Sequence, residues 1–153
     1  VSKIQAAVDA RRDADFMVMA RTDAAATLGF EAAIERAQKF AEAGADILFV
    51  EAVTKEDEVR ALPQRLSTPQ LMNMVIGGKT PIFRAEELGR LGYGIVLYAN
   101  AALQGAVMGM QKALTALRDD KQVLESSGLV ASFAERQRLV GKPQWDELER
   151  RYT

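Results

Sequence analysis

Three polar side chains of different chemistry each follow a short apolar run of the sequence. They are a cation, a carboxylate and an amide: Arg21, Glu51 and Asn73. Ligands of parallel α/β sheets bind at the carboxyl ends of the strands, which is where these residues are expected to lie. A guanidinium group suits a carboxylate, because its planar fork donates two parallel hydrogen bonds. The sequence therefore indicates a small-molecule site whose residues suit an anionic substrate.

The apolar runs are predicted to be four buried parallel strands. We expect them at Phe16–Ala20, Ile47–Val50, Gln70–Met74 and Gly94–Tyr98. Helical patterns lie between the strands, and this alternation is typical of a parallel α/β fold. Two architectures stay open, a small open sheet and half of a (β/α)8 barrel. A complete barrel takes roughly 250 residues, so a chain of 153 cannot close one alone.

Helices are predicted between the strands and in a tail. The expected helical segments are 2–12, 30–44, 54–66, 84–91, 101–118, 130–139 and 144–152. Thr22–Gly29 is predicted to be a loop of small residues, and Thr54 with Asp57 resembles a capping box. We expect one domain of βα units over residues 1–120 and a helical tail over 121–153.

The composition excludes several functional classes. A net charge of −1 with scattered Lys and Arg argues against nucleic-acid binding. No apolar stretch approaches the roughly 20 residues that span a bilayer. The sequence has no Cys and no His, which excludes disulfides, thiolate catalysis and the usual zinc ligands. We expect a cytoplasmic protein. The chain starts at Val1 inside a helical pattern, so we expect it to be truncated, processed or incompletely presented.

Four segments occur in an order and spacing that resemble one enzyme superfamily. The first segment is Lys3-Ile4 followed by Ala6-Ala7-Val8-Asp9-Ala10-Arg11, and the second is Ala20-Arg21-Thr22-Asp23-Ala24. The third is Ala43-Gly44-Ala45-Asp46 followed by Phe49-Val50-Glu51-Ala52, and the fourth is Asn73-Met74-Val75 followed by Gly77-Gly78-Lys79-Thr80-Pro81. In these segments the chain resembles the isocitrate lyase/phosphoenolpyruvate mutase superfamily. The likeness is greatest to its branch of 2-methylisocitrate lyases, dimethylmalate lyases and carboxyphosphonoenolpyruvate phosphonomutases.

The resemblance implies the C-terminal half of a (β/α)8 TIM-type barrel enzyme, with four parallel βα units and a helical tail. Such enzymes use Mg²⁺ to cleave or form a C–C or P–C bond in a small 2-hydroxy or 2-oxo carboxylic acid, through an enolate-like intermediate. Arg21 would contact a substrate carboxylate or phosphonate, and Glu51 and Asn73 would line the pocket. A fixed cation and amide can stabilise charge that develops on an enolate oxygen. The protein would be a homo-oligomer whose tail is exchanged between subunits, with Phe133 and Trp145 as packing anchors.

The departures from the superfamily pattern limit what this chain can do alone. The acidic metal-binding motif and the Cys-Gly-His catalytic loop lie upstream of the matched region, so we expect no catalytic residue and no metal ligand here. The 153 residues alone are predicted to be inactive. Tyr98-Ala99 and Gln104 stand where some relatives have Tyr-Pro and a substrate-binding Arg, so the substrate stays open.

Two alternatives remain on the sequence alone. Gly77 and Gly78 are either a mobile loop that covers the substrate or an ordinary turn. The chain as a whole is either part of a lyase or mutase, or a non-catalytic α/β module for ligand binding or assembly.

Overall fold

The computed structural model describes residues 1–152, and these contain four short parallel strands separated by helices. The strands are β1 (Met19–Thr22), β2 (Ile47–Val50), β3 (Leu71–Asn73) and β4 (Ile95–Leu97). The helices are α1 (Ser2–Ala10), α2 (Ala24–Leu28), α3 (Phe30–Glu42), α4 (Glu56–Arg65), α5 (Ala85–Leu91), α6 (Ala101–Asp120), α7 (Phe133–Leu139) and α8 (Lys142–Tyr152), with a 3-10 helix at Glu125–Ser127. The predicted α/β alternation with four parallel strands is confirmed. Within residues 1–152, no helix combines the length and apolar character needed to cross a membrane.

The strands follow one another in chain order. β1 pairs with β2 and β3 pairs with β4, both in parallel. A parallel bridge between Leu48 and Gln70 joins the two pairs, and the Leu48 N–H donates to the carbonyl of Pro69 at 2.9 Å. The carboxyl ends of all four strands therefore point the same way, which is the condition for the predicted site.

β1 begins three residues later in the sequence than predicted. The prediction was Phe16–Ala20, and the structure has Met19–Thr22. Phe16 is 63% exposed, and its N–H donates to the carbonyl of Asp13 at 3.2 Å in a turn that precedes the strand. Arg21 consequently lies inside the strand rather than after it.

Two local predictions between the strands are wrong. The predicted loop Thr22–Gly29 contains the short helix α2. α4 begins after Lys55 without a side-chain cap, so the predicted capping box of Thr54 and Asp57 does not form. The Asp57 carboxylate instead accepts from the N–H of its neighbour, Glu58, at 3.0 Å. β2 has the predicted bounds, and β3 and β4 are each shorter than predicted.

One face of the sheet builds a core with the helices. Strand residues at alternate positions point to the same face, and one such set packs against α3, α4 and α5. The cluster includes Ala20, Leu48, Val50 and Met72 from the strands, and Ile34, Val59, Leu62 and Leu88 from the helices. The alternate strand positions point to the opposite face, where Met19, Ile95 and Leu97 are 37–41% exposed. This second face carries the three polar residues that the sequence singled out.

By its internal contacts the chain divides into two units, Val1–Ala101 and the residues from Ala102 onward. The predicted division, 1–120 and 121–153, stays a prediction about the longer protein, as does exchange of the tail between subunits. In the second unit, Ser132 caps α7 by accepting from the N–H of Glu135 at 3.1 Å.

The second unit leaves its large apolar side chains exposed. Phe133 is 61% and Trp145 is 66% exposed in the single chain, and their role as packing anchors stays a prediction. Within residues 1–152, no side chain after Tyr93 is buried.

Candidate functional site

The three predicted polar residues meet at the carboxyl ends of β1, β2 and β3. The Asn73 Nδ2 donates to Glu51 Oε2 at 3.3 Å. The Arg21 Nη2 lies 3.4 Å from the same carboxylate oxygen. The structure therefore brings together a cation, a carboxylate and an amide around one oxygen atom.

Strand register explains why these residues meet. Arg21 is paired with Phe49 across β1 and β2. The bridge between Leu48 and Gln70, continued by three residues, brings Glu51 level with Asn73. Because side chains two residues apart share a face, Phe49 and Glu51 lie on the same face as Arg21 and Asn73.

The Arg21 guanidinium is held from several sides. Its Nη2 is 2.7 Å from Asp23 Oδ1, and its Nε donates to the same carboxylate at 3.2 and 3.3 Å. The guanidinium also lies over the Phe49 ring, 4.9 Å from the centroid, in cation–π contact. The hydrogen bond raises the pKa of Arg21 and lowers the pKa of Asp23. Arg21 is therefore a fixed cation, still half exposed to incoming ligands.

Glu51 is the least exposed member of the ion pairs around Arg21. Its side chain is 18% exposed, against 51% for Arg21 and 60% for Asp23. The Glu51 N–H donates to the Thr22 carbonyl at 2.9 Å, which continues the pairing of β2 with β1 past its last residue. The backbone under this carboxylate is therefore fixed by the sheet.

Asn73 keeps one polar atom without a partner. Its Nδ2 is used by Glu51, but its Oδ1 is buried with no hydrogen-bond donor in reach. A buried acceptor of this kind is costly unless a ligand or water satisfies it. The buried Oδ1 is thus an acceptor that a ligand could satisfy.

Gly77 and Gly78 lie in the segment between β3 and α5. Gly77 has a φ of +77°, and the Gly78 N–H donates to the Val75 carbonyl at 2.9 Å, so the pair forms a turn. The end of the segment is anchored at Phe83, which is 5% exposed and lies under the Arg60 guanidinium at 5.0 Å. These contacts are local, and a role for the glycines as a substrate loop stays a prediction.

A cleft of about 350 Å³ opens beside the cluster. Its lining residues are Arg21, Thr22, Asp23, Ala24, Thr27, Leu28 and Arg36. Two arginines in this lining favour an anion over a cation. Thr22 itself is buried, and its Oγ1 accepts from the N–H of Ala24 at 3.2 Å, which fixes the chain where β1 leads into α2.

The residues of the cluster do not fit a magnesium ion. Magnesium prefers oxygen ligands that are free to coordinate it, whereas Asp23 and Glu51 both face the Arg21 guanidinium. Among residues 1–152, no group of three or more acidic side chains could hold a metal ion.

Two residues of the site were missed by sequence reasoning. Phe49, under Arg21, could have been found from its spacing, because it lies two residues before Glu51 in a predicted strand. Ala52, next to Glu51, has a φ of +63°. That conformation costs an L-residue about 1–2 kcal/mol, and nothing in the sequence indicates it.

Comparison with known proteins identifies the family. A sequence profile of the phosphoenolpyruvate phosphomutase family matches residues 1–118. The chain is 40% identical over 153 residues to the 2,3-dimethylmalate lyase of Eubacterium barkeri, covering 100% of this chain and 53% of that protein. It is 44% identical over 120 residues to the 2-methylisocitrate lyase of Shewanella oneidensis, covering 78% of this chain and 41% of that protein.

Solved structures give the same result. The crystal structure of a 2,3-dimethylmalate lyase matches with a TM-score of 0.87 and 32% identity, covering 99% of this chain and 54% of the other. Oxaloacetate acetylhydrolase in complex with its product oxalate matches with a TM-score of 0.88 and 30% identity, covering 97% of this chain and 52% of the other. The chain spans about half the length of these relatives, and its four parallel strands and helices match part of a TIM-barrel fold. It belongs to the phosphoenolpyruvate mutase/isocitrate lyase superfamily.

Proposed function

We propose that this chain is the C-terminal half of a (β/α)8-barrel lyase or mutase and supplies its substrate-binding residues. The enzyme would cleave or form a C–C or P–C bond in a small 2-hydroxy or 2-oxo carboxylic acid, through an enolate-like intermediate. The observation that carries the proposal is the meeting of Arg21, Glu51 and Asn73 at the carboxyl ends of three parallel strands. Relatives of this superfamily that carry substrate names act on small carboxylic acids, such as 2,3-dimethylmalate.

Arg21 is the residue we assign to the substrate carboxylate. It is half exposed, and Asp23, Glu51 and Phe49 hold its guanidinium in place, so little side-chain entropy is lost when an anion binds. A substrate carboxylate would compete with Asp23, the more exposed of the two acidic partners.

Asn73 and Glu51 have different parts in this proposal. One N–H of the Asn73 Nδ2 donates to Glu51, and the unpartnered Oδ1 would accept from a substrate hydroxyl. Arg21 is the group we assign to the stabilisation of an enolate oxygen. Glu51 contacts both neighbours and so fixes their positions.

Magnesium ligands and the acid–base residue would come from outside this chain. Members of the superfamily typically depend on magnesium, and the residues described here do not fit that ion. We also propose that the full protein is a homo-oligomer located in the cytoplasm.

The test is a chimera in which this chain replaces the segment it matches in the 2,3-dimethylmalate lyase of Eubacterium barkeri. The chimera is assayed with magnesium against 2,3-dimethylmalate, 2-methylisocitrate and oxaloacetate. Arg21→Ala is expected to lower kcat/KM by about a hundredfold, since a fixed charged contact to substrate is lost. Arg65→Ala is the control, because Arg65 forms a comparable bidentate pair with Glu31 away from the cluster. Equal effects of the two substitutions would contradict the assignment of Arg21.

The 153-residue chain alone is expected to turn over none of these acids. The purified chain is assayed under the same conditions as the chimera. Turnover by the chain alone would show that its own residues supply the missing chemistry.

A second function is favoured by one observation, the buried cluster that Val1–Ala101 forms from its own residues. Such a unit could act as a non-catalytic module for ligand binding or assembly. A monodisperse chain that melts cooperatively and binds dicarboxylates, together with a chimera that never turns them over, would favour this alternative. A chain that aggregates through its unpaired edges at β1 and β4 would favour the half barrel.

A further inference from the structure

Ala52, the residue after Glu51, has a backbone conformation that non-glycine residues seldom adopt. Its φ of +63° lies in the left-handed region. Among residues 1–152, one other non-glycine residue has a positive φ, Lys121 at +61°. The Cβ of alanine disfavours this region, so the surrounding structure must hold it there.

Both neighbours of Ala52 are fixed. Glu51 is bound to the sheet through its N–H, which donates to the Thr22 carbonyl at 2.9 Å. Val53 is 1% exposed and belongs to the core cluster. The chain therefore has to leave the sheet and enter the core within one residue.

This change of direction occurs immediately after Glu51, whose N–H is held by the sheet. Its carboxylate lies 3.4 Å from Arg21 Nη2 and 3.3 Å from Asn73 Nδ2. We propose that Ala52 is a positioning residue: its left-handed conformation directs the Glu51 carboxylate and, through it, the guanidinium of Arg21 and the amide of Asn73. The proposal deepens the proposed function, because these three side chains are the ones assigned to the substrate.

Alanine and glycine differ at this position in a way that can be measured. Glycine adopts the left-handed region without steric cost, but it also populates other regions that alanine cannot. Ala52→Gly is therefore expected to relieve strain while it loosens the backbone next to Glu51. Asparagine tolerates the left-handed region and retains a Cβ, so Ala52→Asn is expected to keep the position of Glu51.

The first experiment follows the Asn73 side-chain amide by NMR in the full 153-residue chain. Ala52→Gly is expected to raise the melting temperature or leave it unchanged, and to move the Asn73 Nδ2 proton resonances toward those of Glu51→Ala. Ala52→Asn is expected to resemble the natural chain. Lys121→Gly is the matched control, since it makes the same backbone change in the second unit and should leave the Asn73 amide unmoved. Unchanged Asn73 resonances in Ala52→Gly would overturn the proposal.

The second experiment titrates the natural chain, Ala52→Gly, Ala52→Asn and Lys121→Gly with oxalate. Ala52→Gly is expected to weaken oxalate binding by about two- to fivefold, from the extra backbone freedom of glycine. Ala52→Asn and Lys121→Gly are expected to bind as the natural chain does. Equal affinity of Ala52→Gly and the natural chain would also overturn the proposal. If the natural chain binds no oxalate, the assignment of Arg21 to a carboxylate fails, and the Asn73 resonances still decide the role of Ala52.

Discussion

The two units of the chain use the same kind of amphipathic helix with opposite results. In α3 the apolar positions Ala33, Ile34 and Ala37 are 0–2% exposed against the sheet. In α6 the apolar positions are 40–64% exposed: Leu103, Val107, Met110, Leu114 and Leu117. An apolar stripe therefore shows that a helix has a face to cover, and does not show what covers it.

The difference lies in the sheet. The strands of Val1–Ala101 give α3, α4 and α5 a surface to pack on, and the same strands carry Arg21, Glu51 and Asn73 at their carboxyl ends. The core and the site are thus two faces of one sheet. The second unit has helices without strands among its described residues, and so it has neither a buried core nor a comparable polar cluster.

The largest expected effect sharpens this contrast with one leucine from each unit. Leu62→Ala removes a side chain that is 1% exposed in the core, and it is expected to lower the free energy of unfolding by about 2–5 kcal/mol. Leu114→Ala alters a side chain that is 64% exposed, and a change within about 0.5 kcal/mol is expected. Urea denaturation of both variants measures these values. Comparable losses would mean that α6 is covered in solution, and the contrast between the units would be wrong.

A smaller effect is expected at Tyr93, whose hydroxyl donates to the Val59 carbonyl at 2.7 Å. Tyr93→Phe leaves that buried carbonyl without its partner and is expected to cost about 1 kcal/mol at neutral pH. Tyr152→Phe in the second unit is the control, since Tyr152 is 81% exposed and should show no change.

Tyr93 also predicts a dependence on alkaline pH. Burial raises its pKa, so the unfolded chain loses the phenolic proton more readily than the folded chain. The stabilising contribution is present below the ordinary pKa of about 10 and is lost as the pH rises above it. Between neutral pH and pH 11, the melting temperature is expected to fall less steeply for Tyr93→Phe than for the natural chain. Parallel curves would contradict the role of this buried hydroxyl.

The sequence predicted the bounds of β2 but not those of β1, β3 and β4. Ile47–Val50 is apolar over its whole length, as expected of a strand with both faces covered. The run at Phe16–Ala20 is equally apolar, but Asp46 accepts from the N–H of Val18 at 2.7 Å and the pairing with β2 begins only at Met19. That contact joins residues 28 positions apart, and no local pattern contains it.

For the site, residue type and strand position together predicted which side chains meet. Arg21, Glu51 and Asn73 were found because a polar residue at the end of an apolar strand has few structural explanations. Phe49 and Ala52 were missed for a different reason. Phe49 has the composition of an ordinary strand residue, and the φ of Ala52 follows from the separate anchoring of Glu51 and Val53, which only the folded chain shows.

The smallest expected effect concerns the carboxylate that links α1 to the sheet. Asp46 Oδ2 accepts from the Val18 N–H and lies 2.9 Å from Arg11 Nη1, and these bonds lower the pKa of Asp46. Because the pKa of Asp46 is lowered in the folded chain, its carboxylate stabilises the fold above the ordinary value of about 3.8, and this stabilisation is lost as the pH falls through the lowered pKa.

Asp46→Asn keeps an acceptor for Val18 but removes the charge. Its melting temperature is expected to lie below that of the natural chain at pH 7 and to approach it in strong acid. Asp146→Asn, which removes the partner of Lys142 on the exposed α8, is expected to follow the natural chain at every pH. If both substitutions change the melting temperature at acidic pH by the same amount, the charge of Asp46 has no special part in holding α1 to the sheet.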